Sequence, residues 1–227
     1  KPISTDFPGI KYADPNYLDW GNSTYSAVVY NPTLSMAIYP NGNPQESTIV
    51  LKDILKNEIV SEIPTKGFYN ANPQWSPDGE EFLTTIDVSN DGDLQGDEIY
   101  VIKKDGKQQR VTNLTSIFKD VSIFFPIWSP DGKKIAFNVI LKPINYPTKY
   151  SSLNSEESPR LAILDLDTRM VTLFCTPGNS YLSPIWSPDS RNLALIYLTN
   201  DPDKGFVYIV DTLKGTATFI NNEKLFP

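Results

Sequence analysis

The chain contains no histidine. Ser–His and Cys–His nucleophiles, imidazole-ligated zinc and imidazole acid–base chemistry are thereby excluded within it. Cysteine is almost as scarce: Cys175 stands alone, so no intramolecular disulfide can form, and its apolar setting, Thr172-Leu173-Phe174-Cys175, reads as a buried thiol. No apolar run approaches the roughly 20 residues that a membrane-crossing helix requires. Positive charge is in deficit, with 20 Lys and Arg against 27 Asp and Glu, a net charge of -7 and a pI near 4.7. A phosphate-binding surface needs the opposite balance, so nucleic acid is not an expected partner. Methionine is missing from the first position, where Lys1 stands. The expectation is a processed or excised chain from which any signal or lipid-anchor segment has gone, a lipid anchor staying open.

What is present is repetition. Trp75-Ser76-Pro77-Asp78-Gly79 recurs as Trp128-Ser129-Pro130-Asp131-Gly132 and, with its last residue changed, as Trp186-Ser187-Pro188-Asp189-Ser190. Each copy has Pro two residues ahead of the Trp (Pro73, Pro126, Pro184) and a short apolar run behind it, such as Ile135-Ala136-Phe137-Asn138-Val139. Ser-Pro-Asp-Gly suits a type I turn at every place: Pro presets φ at the second position, Asp bonds back to the backbone at the third, and Gly closes. Strand, tight turn, strand is the reading, with the Trp as a large packing residue. An altered first copy runs from Val28 to Tyr39, where Tyr30 takes the Trp slot and Pro32 keeps the turn proline.

A second half of each unit also aligns: Ile49–Asp53, Ile99–Lys103, Leu161–Asp165 and Phe206–Val210, each followed by a polar turn and a last strand. The slot residues Tyr30, Trp75, Trp128 and Trp186 are 45, 53 and 58 residues apart. Four-stranded units at this period predict an all-β chain, a β-propeller of antiparallel blades stacked face to face. The expected division is an extended lead-in over 1–24 and blades over about 25–68, 69–120, 121–180 and 181–222. The end at 223–227 repeats the Phe-Pro that precedes Trp128, as if a further unit began there. A piece of a larger propeller is therefore expected, with closure of a small ring by the lead-in as the other reading.

Pro-x-Trp-Ser-Pro-Asp-Gly with its following strand, then Glu98-Ile99-Tyr100-Val101 ahead of Asp105-Gly106, then Arg110-Val111-Thr112-Asn113-Leu114, resembles the TolB-type propeller repeat. The fullest match spans Pro73 to Leu114, and the likeness covers roughly residues 25–227, with Tyr30 for Trp and Ser190 for Gly as departures. The resemblance implies a non-catalytic, extracytoplasmic scaffold, periplasmic, secreted or at the cell surface, that binds a protein, a larger assembly or a polymer. Similar repeats also form the substrate-gating propeller of prolyl-oligopeptidase-like serine peptidases, whose catalytic domain would lie outside this chain. No catalytic residue and no organic cofactor is assigned.

One segment has the spacing of a calcium loop. With Asp87 as position 1, Asp87, Ser89, Asp91, Gln95 and Glu98 place side-chain oxygens at 1, 3, 5, 9 and 12, Gly92 falls at 6, and Asp93 at 7 would offer its carbonyl. A solvated hairpin loop is the competing reading, because Asp, Asn and Gly favour such loops for turn reasons alone. The long insertion from Lys142 to Pro159 carries Tyr146 and Tyr150, candidate anchors for a partner on an otherwise mobile decoration. Asn22-Ser23-Thr24 and Asn113-Leu114-Thr115 fit the N-glycosylation sequon.

Overall fold

The structure, a computed structural model, describes residues 28–43, 46–65, 73–89, 95–143, 159–174, 183–198 and 205–220. Its units start at the repeated turn. The Gly79 amide donates to the Ser76 carbonyl (2.8 Å) and the Ser76 amide to the Glu81 carbonyl (2.8 Å), closing the turn and opening the hairpin. Gly132 to Ser129 (2.9 Å), Ser190 to Ser187 (2.9 Å) and Leu34 to Asn31 (2.9 Å) repeat the pattern. The last residue of each turn lies in the left-handed region: Leu34 at φ 56°, Gly79 and Gly132 at 71°, Ser190 at 58°. Glycine enters that region at little cost, which is why it is preferred there.

Four antiparallel meanders follow. The first unit is β1 (Val29–Tyr30), β2 (Met36–Asn43), β3 (Glu46–Asp53) and β4 (Glu58–Pro64). The second is β5 (Gln74–Trp75), β6 (Glu81–Asp87), β7 (Gln95–Lys103) and β8 (Gln108–Arg110). The third is β9 (Phe118–Trp128), β10 (Lys134–Pro143), β11 (Arg160–Asp165) and β12 (Val171–Phe174). The fourth is β13 (Ile185–Trp186), β14 (Asn192–Leu198), β15 (Gly205–Asp211) and β16 (Thr216–Ile220). The all-β propeller architecture expected from the repeats is the one observed, with an unexpected join. β9 is 11 residues long where β1, β5 and β13 have two, and its start pairs in parallel with β7, Gln95 opposite Asp120 and Gly96 opposite Val121. The second and third units thus share one eight-stranded sheet. Gly96 permits the approach, since a Cβ there would lie 2.8 Å from Thr115 Cγ2 and 2.9 Å from Val121 Cβ.

The period of two along each strand sends alternate side chains to opposite faces, and both faces are buried. In the second unit Phe82 and Ile102 point toward the first, packing with Met36, Ile38, Ile49, Leu51 and Ile63. Leu83, Ile99 and Val101 point the other way, against Ile135, Phe137 and Val139 of the third. Ala136, Leu161 and Ile163 then meet Leu193, Leu195 and Val210 of the fourth. The core is therefore three layers between units, and no unit could bury its apolar residues alone. Each such fully buried Leu, Ile or Phe contributes roughly 1.5–3 kcal/mol.

The slot tryptophans tie successive units together. Trp75 Nε1 donates to the Val29 carbonyl (3.0 Å) and Trp128 Nε1 to the Gln74 carbonyl (3.2 Å), in each case the residue ahead of the previous slot. Trp186 Nε1 is buried without a partner among the described residues. At that third interface the link is the Asp131 amide donating to Ser190 Oγ (3.0 Å).

Candidate functional site

A meander fixes which connections share an end. The Ser-Pro-Asp turns and the turns between third and fourth strands lie at one end of every unit; the links between second and third strands, and those between units, lie at the other. The strand ends that border the two sequence candidates, Asp87 and Gln95 for the first and Pro143 and Arg160 for the second, lie at this second, loop end. Tyr146 and Tyr150 lie outside the described residues, as do Asp91 and Asp93.

Of the calcium-loop positions, Asp87 and Ser89 come together. Asp87 accepts the Ser89 amide (2.8 Å) and the Ser89 hydroxyl, while Ser89 Oγ accepts the Gly96 amide (3.1 Å). The backbone of Gln95 belongs to β7. Glu98 turns elsewhere. It is fully buried, and its Oε1 accepts from Arg110 Nη2 (2.5 Å), the Thr115 amide (2.7 Å) and the Thr115 hydroxyl (2.8 Å). Its Oε2 accepts from the Thr112 hydroxyl, which itself accepts the Ile99 amide (2.8 Å). Arg110 is held in turn: Nε donates to the Thr112 carbonyl (2.8 Å) and Nη2 to Asn113 Oδ1 (2.9 Å). A buried carboxylate survives only when paired and hydrogen-bonded, and this one is both. Its oxygens stabilise the link from β8 through a 3-10 turn (Leu114–Ser116) to β9, so an ion held by the loop would draw on the other positions.

Sequence reasoning did not find this network. Its signal lay in Arg110-Val111-Thr112-Asn113-Leu114-Thr115, which puts one cation and two hydroxyls within a single connection. The sequon threonine Thr115 is buried within the network, whereas Asn113 is exposed.

At the turn end the carboxylates serve the backbone. The Ser76 and Ser129 hydroxyls donate to Asp78 and Asp131 (2.6 Å each) and the Ser187 hydroxyl to Asp189 (2.5 Å), while the amides of Glu80, Lys133 and Arg191 donate to the same oxygens (3.1 Å each). The serine hydroxyl, then the backbone amide, hold the Asp78 and Asp189 carboxyls below their ordinary range. For Asp131, burial pushes upward, but the Ser129 hydroxyl and the Lys133 amide outweigh it and the net direction is down. In the first unit Asn31 does both jobs, accepting the Ser35 and Met36 amides (2.9 Å each) and donating to the Thr33 hydroxyl (2.9 Å). Among the described residues no group of three or more Asp, Glu or Cys is placed to hold a metal ion, and no helix is long and apolar enough to cross a membrane.

No family model matches the chain. The Tol-Pal system protein TolB of Nitratidesulfovibrio vulgaris is 28% identical over 127 residues, 55% of this chain and 24% of that protein. Among solved structures, TolB from Acinetobacter baumannii superposes with a TM-score of 0.51 at 20% identity, covering 88% of this chain and 45% of that one. The β-propeller domain of the Trilobed protease from Pyrococcus furiosus, described as having an open velcro topology, gives a TM-score of 0.57 at 15% identity, covering 87% and 58%. The chain spans about a quarter of the length of the curated relative and under half of the Acinetobacter structure. Together with the recurring Trp-Ser-Pro-Asp turns and the stacked four-stranded units, these likenesses show a β-propeller fold whose repeats resemble those of TolB.

Proposed function

We propose that the chain is a non-catalytic scaffold that binds another protein at its loop end, outside the cytoplasm. The observation that carries this reading is the shared eight-stranded sheet of the second and third units. It extends β7 and the β9–β10 hairpin toward that end and joins them beside the buried Glu98 network. A rigid framework that presents long connections is the usual arrangement of a binding surface. The extracytoplasmic setting draws on the TolB likeness, and Tyr146 and Tyr150 are the proposed partner anchors. Calcium is proposed for the segment from Asp87 to Gln95, through Asp87, Ser89, Asp91, Asp93 and Gln95, as a stiffener of the same end.

The likeness to the Trilobed protease domain favours a second reading, a propeller that gates substrate entry to a serine peptidase. Photocrosslinking separates the two. A photoreactive residue replaces Ile117, exposed at the loop end, or Leu213, exposed at the turn end, and the chain is mixed with an extracytoplasmic extract of its source. A defined adduct from position 117 and none from 213 supports the scaffold; equal capture at both, or none, refutes it. An adduct that reacts with a fluorophosphonate probe for active serine hydrolases decides for the gating reading.

A further inference from the structure

The outer edge of each unit is its fourth strand, which lies on the circumference of a propeller whatever units precede or follow it. Such a strand offers a row of unpaired backbone N–H and C=O groups, and proteins blunt these edges with charge, proline, bulges or brevity. β4 carries Glu58, Glu62 and Pro64 and meets β3 through a register break at Leu51 and Lys52. β8 has three residues and ends in Arg110, which is turned to Glu98. β12 is uncharged and has four residues. β16 is longer and as bare: Thr216-Ala217-Thr218-Phe219-Ile220 has no charge and no proline, is exposed throughout, and pairs with β15 in one unbroken register. Among the described residues its other side has no strand beside it.

This edge also bears an aromatic. Phe219 stands opposite Tyr208, on the face turned toward the third unit, where Tyr208 packs against the shared core layer. Its ring lies 5.3 Å from that of Tyr208 and 5.4 Å from that of Phe206, both on β15, and is still 44% exposed. Antiparallel pairing of β16 with itself has one register that uses all five residues, the one that sets Thr218 against Thr218 across a two-fold axis. Ala217 then faces Phe219, and Thr216 faces Ile220. Small residues meet large ones, no like charges meet, and the two Phe219 rings take diagonal places on one face, within reach of each other.

We propose that two copies of this chain pair through their β16 edges in that register, joining the sheets of their fourth units into one across a two-fold axis. The argument is self-complementarity: the strand that lacks every device against edge pairing is also the one whose own sequence fits it. The contact uses the same patch on both copies and so closes at two. One short strand pair is small beside the roughly 800 Å² per partner of a stable interface. The pair therefore forms as the protein approaches millimolar concentration and comes apart at micromolar, where β16 exchanges its amides with the other outer strands.

The test is sedimentation equilibrium from micromolar to millimolar protein, on wild type and on the exposed variants Thr218→Lys and Thr218→Glu, with circular dichroism melting to check folding. The wild-type mass is expected to rise toward twice 25.5 kDa. Each variant alone should pair several-fold more weakly, because like charges meet on the axis, and an equal mixture of the two several-fold more tightly than either, because Lys then meets Glu. The same substitutions at Thr172 of β12 should leave the pairing as it is in the wild type. A wild type that stays monomeric at millimolar concentration overturns the proposal. So does a dimer that both Thr218 variants leave unchanged, a mixture that pairs no better than its components, or growth beyond two copies, which a closed two-fold contact forbids. Should a charged variant fail to fold, Phe219→Ala is expected to weaken the pair several-fold, and an unchanged dissociation constant refutes the contact.

Discussion

Gly79, Gly132 and Ser190 close three equivalent turns, yet each meets a different neighbour. A Cβ on Gly79 would lie 2.7 Å from Pro32 Cδ, one on Gly132 4.0 Å from Pro77 Cδ, and Ser190 accepts the Asp131 amide. Gly215, at φ 66°, has nothing within 4 Å of where its Cβ would be. Alanine at Gly215 should therefore cost only the left-handed penalty, about 1 kcal/mol. Alanine at Gly79 should cost measurably more by urea unfolding, because Pro32 must also move, and equal losses would show that the first interface is loose. Glu98 gives a larger effect. Glu98→Gln leaves Arg110 without its counter-charge and should cost about 3 kcal/mol, with Arg110→Met restoring part of the loss in the double variant. The same variant bears on calcium: if Asp87 and its loop neighbours hold the ion, a calcium-induced rise in Tm survives Glu98→Gln, and its disappearance would return Glu98 to the ligand set. The turn chemistry was legible in the residues because it is local. The partnership of Glu98 was not, since Arg110 lies across a hairpin and acid spacing alone reads equally well as a calcium loop or a hairpin.

Among the elements, the repeated hairpins followed from Trp-Ser-Pro-Asp and the apolar alternation behind it, and the observed four-stranded meanders match. The length of β9 did not follow. Phe125, at φ 49°, and the irregular register between Ala136 and Asn138 let this strand continue on the far side of Pro126, a residue that in sequence marks a boundary. Its parallel pairing with β7 depends on the close approach at Gly96, a contact that no local pattern announces. The turns themselves predict an acid response. Carboxyls whose pKa is lowered on folding stabilise the fold above the ordinary carboxylate range near pH 4, and that contribution is lost as the pH falls through their folded values. Ser76→Ala should cost about 1 kcal/mol at pH 7, and replacing Ser76, Ser129 and Ser187 together should flatten the fall in Tm between pH 5 and pH 3 (both bounds about half a unit wide). An acid profile as steep as that of the wild type would remove the Ser–Asp pairs from the account.

At the scale of the molecule, the sequence made the stack legible because one motif recurs at blade period, while the choice of which face carries function depends on connections whose chemistry varies from unit to unit. Every described layer of the core lies between units, so each unit depends on its neighbours for burial of its apolar residues. Hydrogen exchange followed by mass spectrometry tests this most directly. The account predicts that β2–β3, β6–β7, β9–β11 and β14 hold their amides together and release them in one late cooperative step, with the outer strands β4, β8, β12 and β16 exchanging first. One unit that exchanges completely while both of its neighbours stay protected would contradict the stacked propeller and leave a row of independent hairpin sheets.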